Sequence, residues 1–272
     1  MPKPSPHFSR LSIFFPMWNE EDYIRNTLAV ARDECERLIE EGEIADYELL
    51  VVDDASTDAT GKIADEMAAA DRHVRVVHHP VNRKLGGGLK TGFTSARGDV
   101  VLYMDADLPF DLVEVGKALR LMRIYGADVV NAFRHDRTAE GPRRAVYSFG
   151  YNWLIRLLFG IHVRDVNFSF KLCRRRIFEH IELVSEGSFI DAELLVRAQR
   201  LGYKTIQFGV DYFARSRGVS TLSSFPVILK ILRELWNLRR ELAKVKPLPA
   251  EALALPAAPV LTEVPGRTAS QR

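Results

Sequence analysis

Between Leu11 and Phe133 short, unbroken apolar runs alternate with helical patterns. The runs are Leu11 to Pro16, Tyr47 to Val52, Val74 to His78, Val100 to Met104 and Asp128 to Phe133. Between the first two, Ile24, Leu28, Ala31, Cys35 and Leu38 recur at spacings of three and four, which predicts an amphipathic helix within Glu21 to Glu41. Further helices are predicted over Thr60 to Ala70, after a glycine turn (Gly86, Gly87, Gly88) up to Ala96, and from Pro109 onward with Leu112, Val115, Leu119 and Met122 inward. A strand apolar at consecutive positions must be covered on both faces, so the pattern predicts an α/β fold with a mostly parallel central sheet between two helical layers. Ligands of such sheets bind beyond the carboxyl ends of the strands. The polar clusters fall there: Asn19-Glu20 after the first run, Asp53-Asp54 after the second and Asp105-Ala106-Asp107 after the fourth.

The pattern changes after residue 140. Ala145 to Ile161 is a strongly apolar helix with Trp153. Val166 to Leu172 and Thr205 to Val210 read as strands around a helix from Asp191 to Leu201. Phe225 to Val245 is a basic amphipathic helix, and Pro and Ala dominate from Lys246. The expected organisation is a disordered arm over 1–10, a main domain over 11–222, the basic helix over 223–245 and a disordered tail over 246–272. A net charge of +2 over 272 residues gives no field that would suit nucleic acid. The two cysteines, Cys35 and Cys173, lack metal spacing and suit a reducing compartment. No run reaches the roughly 18 apolar residues of a membrane span, and Met1 to Arg10 lacks a signal-peptide core.

The acidic clusters carry the chemistry. Asp105 and Asp107, flanking the small Ala106, can both reach one divalent cation, and Mg2+ or Mn2+ held this way shares its shell with substrate phosphates. The structural alternative is that Asp107 caps a helix starting at Pro109. Asp53, at a strand end, is placed to accept hydrogen bonds from a ribose or base, while Ser56 or Asp58 caps the next helix. Asn82 to Gly88 lacks the spacing of a phosphate loop and reads either as a turn that lets backbone approach a ligand or as an ordinary loop. A nicotinamide-dependent oxidoreductase is disfavoured because Asn19-Glu20-Glu21, rather than glycines, follow the first strand, and carboxylates there would repel a pyrophosphate.

In order and spacing, Pro16-Met17-Trp18-Asn19-Glu20-Glu21, Val52-Asp53-Asp54 with Ser56 and Asp58, Asn82 with Gly86, and Met104-Asp105-Ala106-Asp107-Leu108 resemble glycosyltransferase family 2. Beyond residue 130 the chain resembles the polyprenyl-phosphate hexosyltransferases of that family, such as dolichyl-phosphate mannosyltransferase. The matching features are Phe133-Arg134, Arg144 with Ser148, Asn152 and Leu154, the segment from Asp165 to Lys171, and Arg215 with Gly218 and Ser220. The resemblance spans roughly residues 10 to 240.

It implies a GT-A fold and a metal-dependent, inverting transfer of a hexose from a nucleotide-diphosphate sugar, GDP-mannose or a UDP-hexose, to a polyprenyl or dolichyl phosphate. Pro16, Trp18, Glu20 and Asp53 would line the nucleoside pocket, with Ala106 beside the donor. Asp105 and Asp107 would hold metal and diphosphate. Arg134, Arg144 and Ser148 would bind the acceptor phosphate and Arg215 the donor diphosphate. Pro109, Ser169 and Thr221 depart from the glutamine, glycine and lysine usual in the family. A lipid phosphate is already ionised, so positioning and charge neutralisation suffice. A sugar or glycolipid hydroxyl would need a base, with Asp165, Asp191 or Glu193 as candidates. A nucleotide-sugar binding module without turnover is the non-enzymatic alternative, which intact Asp105, Asp107, Arg134 and Arg144 oppose. Such an enzyme is expected on the cytoplasmic face of a membrane as a peripheral protein. The helices at 145–161 and 225–245 could dock on lipid, pack on the domain or form a homodimer interface.

Overall fold

The computed structural model describes residues 6–136, 142–213 and 225–255, with the side chains at 142–145, 147 and 225–232 outside that description. The strands are β1 (Leu11–Met17), β2 (Tyr47–Asp53), β3 (Val74–His78), β4 (Val100–Met104), β5 (Val129–Arg134), β6 (Phe170–Arg174) and β7 (Thr205–Val210). They form one sheet in the order β3-β2-β1-β4-β6-β5-β7. Only β6 runs against its neighbours, β4 and β5; the other pairings are parallel. The register Met104 opposite Phe170 and Tyr103 opposite Lys171 shows the consequence. Because β6 is reversed, its amino end lies at the carboxyl ends of the others, and the segment leading into it lies beside the ends of β4 and β5.

Unbroken apolar strands here do serve two cores. Phe15, Leu49 and Val51 face one side, with α1 (Ile24–Glu40) and α4 (Val113–Ile124). Phe14, Leu50 and Val52 face the other, with α3 (Lys84–Ser95), α5 (Pro142–Phe159) and α6 (Ile190–Leu201). Adjacent residues of a strand point to opposite faces, so each layer takes alternate positions of the same run. The remaining helices are α2 (Thr60–Ala70), α7 (Phe225–Lys244) and α8 (Ala250–Leu253). Cys35 and Cys173 are buried and unpaired, and burial pushes the Cys173 thiol up to about 12.

The structure departs from the expected boundaries in four places. The glycines do not form a turn before α3; they lie inside its first turns and are buried. A side chain at Gly92 would strike the Phe14 ring, and one at Gly86 the backbone of Glu186, so these glycines let the helix sit close on its neighbours. The strand expected from Val166 begins at Phe170, because the preceding residues form the edge of the site instead. The amino-terminal arm is shorter than 1–10: Phe8 is buried, and the Ser9 and Arg10 N–H groups donate to Asp99. At the other end residues 246–255 lie on the body. Leu248 N–H donates to the Leu201 carbonyl, and Arg176 donates to the carbonyls of Leu253 and Ala254.

Of the three readings of α7, packing on the domain is the one seen at its described side chains. Leu235 and Leu242 of its apolar stripe are buried in the domain, and Glu241 pairs with Arg197 of α6 at 2.7 Å. An amphipathic helix buries its stripe wherever a complementary face exists, and α6 supplies one.

Candidate active site

Four non-glycine residues with left-handed backbone occur among the described residues: Asn19, Ala55, Lys84 and Leu108, with φ of 56°, 58°, 62° and 51°. One follows each of β1, β2, β3 and β4. Such backbone costs roughly 1–2 kcal/mol per residue outside glycine and clusters where function over-determines geometry. All four lie at the sheet edge that parallel topology reserves for ligands.

The connections after β1 and β2 are stitched together. Asn19 Oδ1 accepts from the Thr57 N–H at 2.8 Å, the Glu20 N–H donates to Thr60 Oγ1 at 2.8 Å, and the Ala59 N–H donates to Glu21 at 2.8 Å. Asp58 accepts from Thr60 and Glu21; burial opposes its ionisation, but these hydrogen bonds hold its carboxyl below the ordinary range. Asp58 thus takes the N–H of the first residue of α2, while the N-cap position itself is Ala59, which makes no side-chain capping bond. Pro16 packs near Gly88 of α3, and Trp18 stands 54% exposed at the end of β1, a flat apolar surface at the mouth of the site.

The two aspartates after β2 take different partners. Asp53 accepts from the Ser56 N–H at 3.1 Å, and its other oxygen lies 2.8 Å from His78 Nδ1. Asp54 lies 2.6 Å from His79 Nδ1 and accepts from the Arg83 N–H at 2.7 Å, tying β2 to the start of α3. The sequence reading passed over both histidines. Their signal was positional: they end β3, beside the aspartates of β2.

At the end of β4, Asp105 accepts from the Tyr103 hydroxyl at 3.0 Å, and the Ala106 carbonyl accepts from the Thr27 hydroxyl. The capping alternative for Asp107 does not hold. Helix α4 starts at Val113, not Pro109, and Asp111 accepts from the Val113 N–H at 3.0 Å. Asp107 thus sits in a turn six residues ahead of the helix. Among the described residues no three His, Cys, Asp or Glu side chains gather as a metal cage. A cation that shares its shell with substrate phosphates is usually held by only one or two carboxylates, and Asp105 and Asp107 are the two at this strand end.

The ends of β5 and α6 and the start of β6 are built from ion pairs. Arg134 grips Asp165 with two prongs, Nε to Oδ2 at 2.7 Å and Nη2 to Oδ1 at 3.0 Å. Their side chains are 7% and 1% exposed. The guanidinium lies 5.4 Å from the Phe168 ring and 5.2 Å from the Tyr212 ring. Lys171 is fully buried, 2.7 Å from Asp191, and donates to the Phe168 carbonyl at 2.6 Å. Burial raises the Asp191 carboxyl above the ordinary range against the pull of Lys171, and the Asp105 and Asp165 carboxylates push the same way. Glu193 accepts from the Ser185 N–H at 2.8 Å and from Arg197 at 2.8 Å. Ser148 is half-buried on α5. The backbone of Arg144 lies in the first turn of that helix, but its side chain is outside the described residues, as are Arg215, Gly218, Ser220 and Thr221.

The fold is that of a GT-A nucleotide-diphospho-sugar transferase. Residues 12–182 match the model of glycosyl transferase family 2, and the chain belongs to that family. It is 34% identical over 237 residues to glycosyltransferase AglD of Haloferax volcanii, covering 84% of this chain and 37% of that protein. The chain thus spans little more than a third of that relative's length. It is 28% identical over 251 residues to polyprenol monophosphomannose synthase of Mycolicibacterium smegmatis, covering 87% and 90% of the two chains. It is 29% identical over 224 residues to undecaprenyl-phosphate mannosyltransferase of Micrococcus luteus, covering 79% and 88%. Among solved structures, glucosyl-3-phosphoglycerate synthase of Mycobacterium tuberculosis with Mn2+ and UDP-glucose shares the fold at a TM-score of 0.60 and 22% identity, over 83% of this chain and 78% of that one.

Proposed function

We propose that the protein transfers a hexose, with inversion, from a nucleotide-diphosphate sugar to a polyprenyl phosphate at a membrane surface. One observation carries the choice of acceptor. Each carboxylate that could serve as a base for a hydroxyl is held by a cation: Asp165 by Arg134, Asp191 by Lys171 and Glu193 by Arg197. A hydroxyl acceptor would require one of these pairs to open. A phosphate acceptor needs no base and does need cations, which Arg144 and Arg215 would supply, with Arg134 joining them where its own pair with Asp165 opens. Two relatives named for transfer to polyprenol or undecaprenyl phosphate, each matched over most of its length, support the same reading.

In this reading Trp18, Pro16, Glu20 and Asp53 receive the nucleoside and Ala106 lies along the donor. Asp105 and Asp107 would hold Mg2+ or Mn2+, which neutralises charge developing on the departing nucleoside diphosphate. Arg134, Arg144 and Ser148 orient the acceptor oxygen for attack on the anomeric carbon. Offering a polyprenyl phosphate and the matching polyprenol side by side tests the assignment. Sugar transfer to the phosphate alone is expected, and equal transfer to the alcohol would overturn it.

The exposed face of α5 supports the membrane surface. Val146, Phe149, Trp153 and Leu157 are exposed at spacings of three, four and four, a single stripe, while Ile155 and Phe159 turn into the core. No helix among the described residues is long and apolar enough to cross a membrane. The stripe lies on the helix that carries Arg144 and Ser148, so docking it on lipid would bring the acceptor's headgroup to those residues. Phe149→Glu with Trp153→Glu is expected to abolish co-sedimentation with vesicles and to raise KM for a long-chain acceptor, leaving KM for a short, water-soluble one unchanged. A wild-type dimer that dissociates in this variant, with vesicle binding unchanged, would assign the stripe to a second copy of the chain.

A further inference from the structure

We propose that His78 is a positioning residue for the nucleoside end of the donor: suspended between Asp53 and Asp65, it fixes the Asp53 carboxylate and ties donor affinity to the charge of one imidazole. The inference rests on the reading of Asp53 as a nucleoside contact. His78 Nδ1 lies 2.8 Å from Asp53 Oδ2, and Nε2 lies 3.0 Å from Asp65 Oδ1. Among the described residues, the charged groups that pair with the ring are Asp53 from β2 and Asp65 from α2. A neutral imidazole donates from one nitrogen only, so both bonds form together only when the ring is protonated.

The surroundings leave the Asp53 carboxylate little room. Its other oxygen takes the Ser56 N–H, and a side chain on Gly61 would come within 2.8 Å of Oδ2. Glycine at the second position of α2 lets the Asp53–His78 pair lie against the helix backbone. The buried partner is therefore fixed, while His78 is 44% exposed and Asp65 66% exposed. The ring can exchange protons with solvent while acting on a group that is closed off from it.

Hydrogen bonds donated to Asp65 and Asp53 raise the His78 pKa above its usual 6.5. The sign follows. A histidine whose folded pKa is raised contributes its pairing fully below the unfolded value and loses it as pH rises through the folded value. Above that point Asp53 and Asp65 compete for a single N–H, and the hold on Asp53 loosens. Affinity for the donor is then expected to fall as pH rises, with no matching change in the acceptor's KM.

Calorimetric titration with UDP or GDP, whichever binds more tightly, tests this between about pH 5.5 and 8.5, the range in which histidines titrate. In the wild type Kd is expected to rise by about tenfold, the value of one charge-assisted hydrogen bond. Asp65→Asn, at an exposed position, removes one carboxylate and should move the transition to lower pH. His78→Gln should bind weakly with no transition. A flat wild-type profile, or a midpoint that Asp65→Asn leaves in place, overturns the role of His78. Asp53→Asn binding as tightly as wild type would overturn the nucleoside reading itself, a different result from either.

Discussion

Replacing Asp107 by Asn is expected to lower turnover by at least ~10²-fold, the usual cost of one transition-state charge contact, with the midpoint of thermal unfolding nearly unchanged. The reasoning is local. Asp107 is only partly buried, and the helix it would otherwise cap begins at Val113, where Asp111 serves the first turn. No helix start depends on its side chain. Its neighbour Leu108 is held at φ 51°, which fixes the turn that presents the aspartate. Steady-state kinetics over a Mg2+ or Mn2+ titration would show the lost turnover, and calorimetric titration of the cation in the presence of nucleoside diphosphate would show weakened binding. A fall in stability comparable to the fall in rate would instead make Asp107 a structural residue.

Asp165→Ala should do the opposite and unfold the protein readily. It removes the carboxylate from a guanidinium that is 7% exposed between two aromatic rings. Breaking one side of a buried pair costs about 3–5 kcal/mol, a large part of the stability of an ordinary domain. Chemical denaturation would read this as a lower midpoint with an unchanged slope. The paired change Arg134→Met with Asp165→Leu is expected to recover much of that loss, because apolar side chains of similar volume often replace a buried ion pair without penalty. Turnover should not return with it. Recovery of both would show that Arg134 serves only the fold.

Much of this architecture was legible before the structure. Runs such as Phe14-Phe15 and Leu49 to Val52 are apolar at consecutive positions, and only a sheet covered on both faces accepts that pattern. The placing of Asp53, Asp105 and Asp107 followed from the carboxyl-end rule. The reversal of β6 was not legible, since its apolar run fits either direction. With it went the pairing of Arg134 with Asp165, which are 31 residues apart and carry no local pattern. Lys171 was visible as a motif residue, but its burial against Asp191 depends on how α6 meets the reversed strand. The glycines of α3 misled for a physical reason: glycine marks turns, yet here it serves close packing of a helix on Phe14 and on the Glu186 backbone. The stripe of α7 left its partner open, because amphipathicity shows that a face is buried and not what buries it.

The most direct test of the central claim is incubation of the purified protein with a short polyprenyl phosphate and Mg2+ or Mn2+, offering GDP-mannose, UDP-glucose and UDP-N-acetylglucosamine separately. The account predicts lipid-linked sugar from one donor, lost in Asp107→Asn and in Arg144→Ala. Hydrolysis of a donor with no lipid product would contradict the lipid acceptor, and product formation undiminished in both variants would contradict the site.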